Sequence, residues 1–126
     1  EEMLKFEGDT GPYVQYTHAR ASALLRKGNY KEIEWTEAQF DEEAWPIVKE
    51  LIEFPEVIKR AYDGNDPSLI AKYVIQLSKK FNQYYGKVRI LAESENKQVR
   101  LSLVSAVQIV LREGLRLLGV DAPEEM

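Results

Sequence analysis

The chain has 126 residues, 44% hydrophobic, 30% charged and 10% aromatic, with 17 Lys and Arg against 21 Asp and Glu for a formal charge of −4. That is enough chain to bury a core, and residues 1–126 are read as one soluble domain. The absence of cysteine excludes disulfide scaffolds, thiolate zinc sites and cysteine nucleophiles. No apolar run approaches the roughly 20 residues needed to cross a bilayer, so no membrane partner is expected. The opening at Glu1, without an initiator methionine, reads as the middle of a longer chain, and the composition suits a reducing, cytoplasmic compartment.

Charge is unevenly spread. Residues 1–60 carry 8 basic and 13 acidic side chains, residues 61–126 carry 9 and 8, and between Lys72 and Arg116 the count is 9 against 3. Net charge argues against nucleic acid as a ligand, whereas the local field of the C-terminal half permits it.

Hydrophobic spacing is helical nearly throughout, which predicts an all-α bundle of about five helices. The first opens after Asp9 or Thr10 as cap, with Gly11 and Pro12 in its first turn, and stops at Gly28-Asn29, two residues that tolerate positive φ. The acidic stretch from Glu37 to Glu43 suits the positive end of the next helix, which carries Ile47, Val48, Leu51 and Ile52 and begins or kinks at Pro46. Pro55 is expected to break the chain again and start a short helix through Val57, Ile58, Ala61 and Tyr62 that ends at Gly64-Asn65. Asp66-Pro67 then caps a helix through Ile70, Tyr73, Val74, Leu77, Phe81 and Tyr84 to about Gly86. After an apolar connector at Val88 to Leu91, a last long helix runs from Ser94 or Glu95 to Leu118. Its main stripe is Leu101, Val104, Val107, Leu111, Leu115 and Leu118, and Leu103, Val110 and Leu117 widen it far beyond one face, which places the helix at the centre of the bundle.

Catalytic groups are scarce. His18, the sole histidine, falls near the inward stripe of Val14, Ala21 and Leu25 and reads as a hydrogen-bonded histidine at the edge of the core; with one histidine and no cysteine, zinc has no ligand set. Glu37, Asp41, Glu42 and Glu43 lack the pattern of a calcium loop and read as a solvated helix start. Gly8-Asp9-Thr10-Gly11 has no preceding strand and no following Lys-Ser/Thr, so it is not a phosphate loop.

The aromatic placement is more informative. Tyr13, Tyr16 and Arg20 project within about 60° of one another, turned about 100° or more from the inward stripe. Such a face can stack unpaired bases and grip a phosphate, or it can be a second packing face under a neighbouring helix, and spacing leaves both open. Phe81 lies mid-stripe, where packing is its default role, while Tyr85 lies at the stripe's edge and the helix end. Lys72, Lys79 and Gln83 lie off that stripe, on a face that is ordinarily only solvated.

The segment from Phe6 to Arg20, Phe-Glu-Gly-Asp-Thr-Gly-Pro-Tyr-Val-Gln-Tyr-Thr-His-Ala-Arg, closely resembles the start of the C-terminal anticodon-binding domain of arginyl-tRNA synthetases. The likeness continues through Phe54 to Val57, Asp66 to Tyr73, Phe81 to Tyr85 and Leu115 to Met126, so it covers nearly the whole chain in order. The resemblance implies an all-helical DALR-type domain attached to a class I catalytic domain that joins arginine to its tRNA using ATP. The His-Ile-Gly-His and Lys-Met-Ser-Lys-Ser motifs of that catalytic class are absent, so the chain itself should catalyse nothing and hold no cofactor. By the same resemblance Tyr13, Tyr16, Arg20, Phe81, Tyr85 and Met126 contact the anticodon loop of an arginine tRNA. Expected partners are that tRNA and the parent catalytic domain, in a monomeric enzyme. Two departures stand out: the Asp-Ala-Leu-Arg tetrapeptide does not occur, and the family's Pro-Glu-Arg-Met ending is Pro-Glu-Glu-Met here, with Glu125 where an arginine could have met phosphate. Alternatives are a helical protein-interaction adaptor working through the acidic N-terminal half, and a DALR-type domain of another enzyme such as the glycyl or cysteinyl synthetase.

Overall fold

A computed structural model describes residues 10–32, 34 and 40–126. Among these residues the chain forms four α-helices: α1 (Gly11–Gly28), α2 (Trp45–Asp63), α3 (Ser68–Lys87) and α4 (Lys97–Leu117). A single 3-10 turn, Glu42–Ala44, leads into α2. The all-α expectation holds. The initiating Asp9, the acidic Glu37 and the start of the acidic stretch lie outside the described residues.

The helix ends follow local chemistry. Pro12 occupies the first turn of α1, where its missing amide would have had no intrahelical partner. Thr10 makes no side-chain cap, in contrast to the expected role. At the other end Asn29 adopts φ 53°, and the amides of Asn29 and Tyr30 close on the carbonyls of Arg26 and Leu25. Gly28 serves a different purpose, because a Cβ there would stand 2.7 Å from Leu101 Cδ1 and 2.9 Å from Leu91 Cδ2. Asp66 caps α3 as expected, its carboxylate accepting from the Ser68 amide at 3.1 Å and from the Ser68 hydroxyl.

Pro55 does not break the chain. Helix α2 runs continuously from Trp45 to Asp63 with Pro46 in its first turn and Pro55 inside it, so the two expected helices are one. An interior proline costs about 3 kcal/mol. Against that, Ile47 on one side of Pro55 and Val57 and Ala61 on the other are all buried, and Phe54 stacks on Tyr73 of α3 with ring centres 5.3 Å apart. Each buried Val or Ile contributes about 1.5–3 kcal/mol, so packing along α3 outweighs one missing hydrogen bond. The Tyr73 hydroxyl also donates to the Glu50 carbonyl at 2.5 Å, tethering α2 to α3 one residue before the carbonyl that Pro55 leaves without its amide. Tertiary contact decides the helix where local propensity opposes it.

Helix α4 touches all three other helices, with Leu101, Val104, Val107, Leu111 and Leu115 fully buried. It begins at Lys97, two or three residues later than the spacing suggested. The apolar connector folds back onto the bundle through buried Ile90. Arg100, on the first turns of α4, grips Asp41 with two nitrogens at 3.0 and 3.3 Å, and the buried Tyr84 hydroxyl donates to the same carboxylate at 2.9 Å. Burial pushes the Asp41 carboxyl up, but hydrogen bonds from Arg100 and Tyr84 and the guanidinium charge outweigh it, and its pKa is lowered. Asp41 is therefore an internal tie between the 3-10 entry, α3 and α4, while Glu42 and Glu43 remain exposed as a solvated helix start. Among the described residues no helix is long and apolar enough to cross a membrane.

Helix α4 meets α3 tightly at Gly114, where an added Cβ would overlap Val74 Cγ1. Valine is stiff at χ1 and cannot swing away. Overpacking of this kind costs about 1–3 kcal/mol, more than the roughly 1 kcal/mol of helix propensity that alanine gains over glycine. Gly114→Ala should therefore lower the urea midpoint, whereas Gly86→Ala, with nothing within 4 Å of its added methyl, should raise it.

Candidate nucleic-acid interface

Helix α1 has two faces because its sequence has two periodic stripes. Val14, Ala21 and Leu24 enter the core, and Tyr13, Tyr16 and Arg20 point toward the end of α3. The pairing of α1 with α3 sets Asn82 opposite this second stripe. The Asn82 amide nitrogen donates to the Tyr13 hydroxyl and to Thr17 Oγ1, both at 3.0 Å, and its oxygen accepts from Arg20 at 2.8 Å. Thr17 in turn donates to the Tyr13 carbonyl at 2.9 Å. One side-chain amide thus fixes a tyrosine, a threonine and an arginine.

So fixed, the Arg20 guanidinium lies between two rings. Its carbon stands 4.2 Å from the centre of the Tyr85 ring on α3 and 5.4 Å from that of Tyr16 on α1. Cation–π attraction of this kind contributes about 0.5–1 kcal/mol at exposed sites. The rings are not used up by it: Tyr13, Tyr16 and Tyr85 remain 37%, 50% and 41% exposed. They are neither a covered packing face nor free in solvent, but rings held in place with a side open.

That open side faces a cleft of about 530 Å³ lined in part by Tyr16, Arg20, Leu24, Tyr85, Leu91 and Met126. A second hollow of about 430 Å³ shares Leu24, Tyr85 and Leu91 with it and extends past Val88, Arg89 and Ile90. Arg26, Lys27 and Arg89 stand at the borders of the two hollows as exposed cations. Glu124 and Glu125 line the first hollow as well, so its border carries both signs of charge. The open aromatic rings and the cations beside them suit flat, unpaired bases carried on a phosphate chain.

The C-terminal segment closes one side. It runs along α1, with the Asp121 carbonyl accepting from Gln15 at 3.0 Å, the Pro123 carbonyl 2.8 Å from His18 Nδ1, and the Glu124 carbonyl 3.4 Å from Arg26. Glu125 lies 4.0 Å from Arg26, both side chains well exposed. Met126 reaches the edge of the cleft, largely exposed.

Of the six residues that the resemblance implies, Tyr16, Arg20, Tyr85 and Met126 line this cleft, and Tyr13 is joined to Arg20 through Asn82. Phe81 does neither. It is 0% exposed, packed in the core, and a ring with no accessible face has nothing to offer a base. Its mid-stripe position points to the core, and that spacing overrules the family analogy. Asn82, next to it, is a site residue that the sequence reading misses. The signal available is an amide three residues before Tyr85, about 60° away on the helix and level with the aromatic face. Lys79 and Gln83 are exposed on α3 beside Asn82, consistent with a surface that continues the site. Among the described residues no cluster of three or more His, Asp or Glu side chains converges to hold a metal ion.

Fold and site together define an all-helical domain with a cleft between α1 and α3 that is lined by tyrosines and by charged side chains of both signs. The chain belongs to the DALR anticodon binding domain family, which matches residues 14–126. It is 60% identical over all its residues to arginine–tRNA ligase 2 of Bacillus anthracis, and 59% identical to the arginine–tRNA ligase of an Exiguobacterium species. The chain spans 22% of the length of each of these relatives. A solved arginyl-tRNA synthetase of Thermus thermophilus superposes with a TM-score of 0.84 at 38% identity, over 98% of this chain and 22% of that one.

His18 lends the site a pH dependence. Burial lowers its pKa from the ordinary 6.5; the Pro123 bond opposes this, Arg112 on α4 adds to it and Glu124 in the tail opposes it. The folded chain therefore holds this proton less readily than the unfolded chain, so the histidine's contribution to stability is complete above about pH 6.5 and declines as pH falls below it. The urea midpoint of the wild type should drop between about pH 7.5 and 5.5, and His18→Asn, with nothing to titrate, should flatten that drop. Asp41, lowered from 3.8, acts only at more acid pH and leaves this window to His18.

Proposed function

We propose that this domain binds the anticodon loop of an arginine-accepting tRNA as the C-terminal part of an arginyl-tRNA synthetase, and contributes no catalytic group itself. The observation that carries this reading is the Arg20 guanidinium held by Asn82 between Tyr16 and Tyr85 at the wall of an open cleft. Identity near 60% to arginine–tRNA ligases favours the arginyl enzyme over the glycyl and cysteinyl alternatives. The half-buried Asp41 is engaged by Arg100 and Tyr84 within the bundle, which removes one of the acidic residues on which an adaptor surface would have drawn.

Binding proceeds in two parts. Lysines and arginines around the cleft and along α3 attract the phosphate chain by releasing counterions, which adds affinity without reading sequence. Anticodon bases then leave their own stack and lie on the tyrosine rings, each stack contributing about 1–3 kcal/mol, while Asn82, its amide engaged by Tyr13, Thr17 and Arg20, holds that wall in place. Only one guanidinium nitrogen of Arg20 is hydrogen-bonded among the described residues, so its remaining donors are free for a phosphate or base. The parent catalytic domain is the covalent partner in a monomeric, cytoplasmic enzyme. It supplies ATP binding and chemistry, and docking of the anticodon end orients the acceptor end toward it.

Mutation separates stacking from charge. Tyr16→Ala and Tyr85→Ala should each weaken binding of an arginine tRNA transcript by about 1–3 kcal/mol with unchanged helix content and an unchanged slope of log affinity against log salt. Arg20→Ala should weaken binding and make that slope shallower by roughly 0.7–0.9 for each phosphate that is no longer neutralised. Normal affinity in the tyrosine variants, combined with a much lower melting temperature, would show that the rings serve packing alone.

A further inference from the structure

The C-terminal segment follows the turn at Gly119, where φ is 74°, and has no regular structure of its own from Val120 onward. Val120 bonds back to the Leu115 carbonyl at 2.9 Å and, with Ala122, packs against the core; from Asp121 onward the hydrogen bonds that hold the segment come from α1. Two of its tethers are exposed: Gln15 to Asp121, and Arg26 to Glu124 and Glu125 at 3.4 and 4.0 Å. Water competes for such contacts, and exposed ion pairs contribute only about 0–1 kcal/mol. The remaining tether, His18 Nδ1 to the Pro123 carbonyl at 2.8 Å, comes from a fully buried ring.

We infer that His18 is a positioning residue for RNA binding: its Nδ1–H bond to the Pro123 carbonyl straps the segment Asp121–Met126 to α1 and sets where Met126 stands at the edge of the cleft. A carbonyl only accepts, so Nδ1 carries the hydrogen. Nε2 is buried without a partner among the described residues. A second proton there would be an unpaired buried charge near the Arg112 guanidinium, so the ring is neutral in the Nδ1–H form. The backbone of α1 is tied at the same place, Ser22 donating to the His18 carbonyl at 3.1 Å and Gln108 of α4 donating to Ser22 at 2.9 Å. The histidine is thus fixed from behind by α4 and reaches outward to the tail. The tail runs in the same direction as α1, from Gln15 toward Arg26, which carries Met126 to the cleft that Arg20 and Lys27 of α1 also line.

The effect on RNA rests on the reading of the cleft as an anticodon site; the strap itself does not. Because His18 is the sole histidine, histidine-selective 15N labelling gives one imidazole to observe. In the 126-residue chain at about pH 7.5 it should show protonated Nδ1 and unprotonated Nε2, and a charged ring or the opposite tautomer would overturn the inference. His18→Leu keeps the bulk and removes the donor; in His18→Asn the amide nitrogen can take the place of Nδ1. The 15N–1H heteronuclear NOE of the Glu124, Glu125 and Met126 amides should collapse toward free-terminus values in His18→Leu and recover in His18→Asn. Affinity for an arginine tRNA transcript should fall about 2- to 10-fold in His18→Leu, the range of one neutral hydrogen bond, and that loss should vanish when residues 121–126 are deleted. An unchanged NOE, or an affinity loss that persists in full after deletion, would overturn the inference. A collapsed NOE with affinity indifferent to both His18→Leu and the deletion would support the strap and overturn the part of Met126 in binding.

Discussion

The amide of Asn82 is the point on which the cleft depends. A surface arginine left to itself samples many rotamers, and fixing it sacrifices about 2 kcal/mol of side-chain entropy. Here a hydrogen bond to a charged group, worth about 1.5–3 kcal/mol, and two rings at 4.2 and 5.4 Å offset that loss. The same amide fixes Tyr13 and Thr17. The ordering is done during folding, so a bound nucleotide meets a wall already in position.

Asn82 can act this way only because α1 and α3 hold a definite register, and the rest of the bundle maintains it. Gly28 lets α1 close on the Leu101 and Leu91 side chains, and Gly114 lets α4 close on the Val74 side chain of α3, each where a methyl group would intervene. Asp41 joins Arg100 of α4 to Tyr84 of α3, one residue before Tyr85. A core tyrosine held by an internal carboxylate and a surface tyrosine facing the cleft are thus neighbours in sequence, and anchoring the first orients the second. Helix α2 lies on the opposite side of this chain of support, packed along α3 without touching the cleft.

Much of this is legible from residue spacing, and the exceptions have physical causes. The inward stripe of α1, the burial of Val104, Val107, Leu111 and Leu115, and the separate face of Tyr13, Tyr16 and Arg20 are consequences of a 3.6-residue period that sequence displays directly. Continuity through Pro55 is not legible, because it rests on Phe54 and Val57 packing against another helix. Phe81 shows periodicity outperforming family analogy: its stripe position indicates the core, and the core is where it lies. For Asn82 the local pattern offers only an amide near Tyr85 on the same side of the helix, since its importance comes from the three side chains that α1 brings to it. The tail carries no period at all, and its path follows from a histidine more than a hundred residues earlier.

The central claim is that RNA lies against the wall formed by Tyr16, Arg20 and Tyr85. Chemical-shift mapping of the 15N- and 13C-labelled chain with an unlabelled anticodon stem-loop of arginine tRNA tests it most directly. The account predicts the largest changes at the Arg20 side-chain nitrogens and the Tyr16 and Tyr85 rings, extending to Asn82 and Met126, with Ile52 and Tyr62 on α2 unmoved. Saturable binding that instead shifts α2 and leaves Arg20 and both rings unchanged would contradict it.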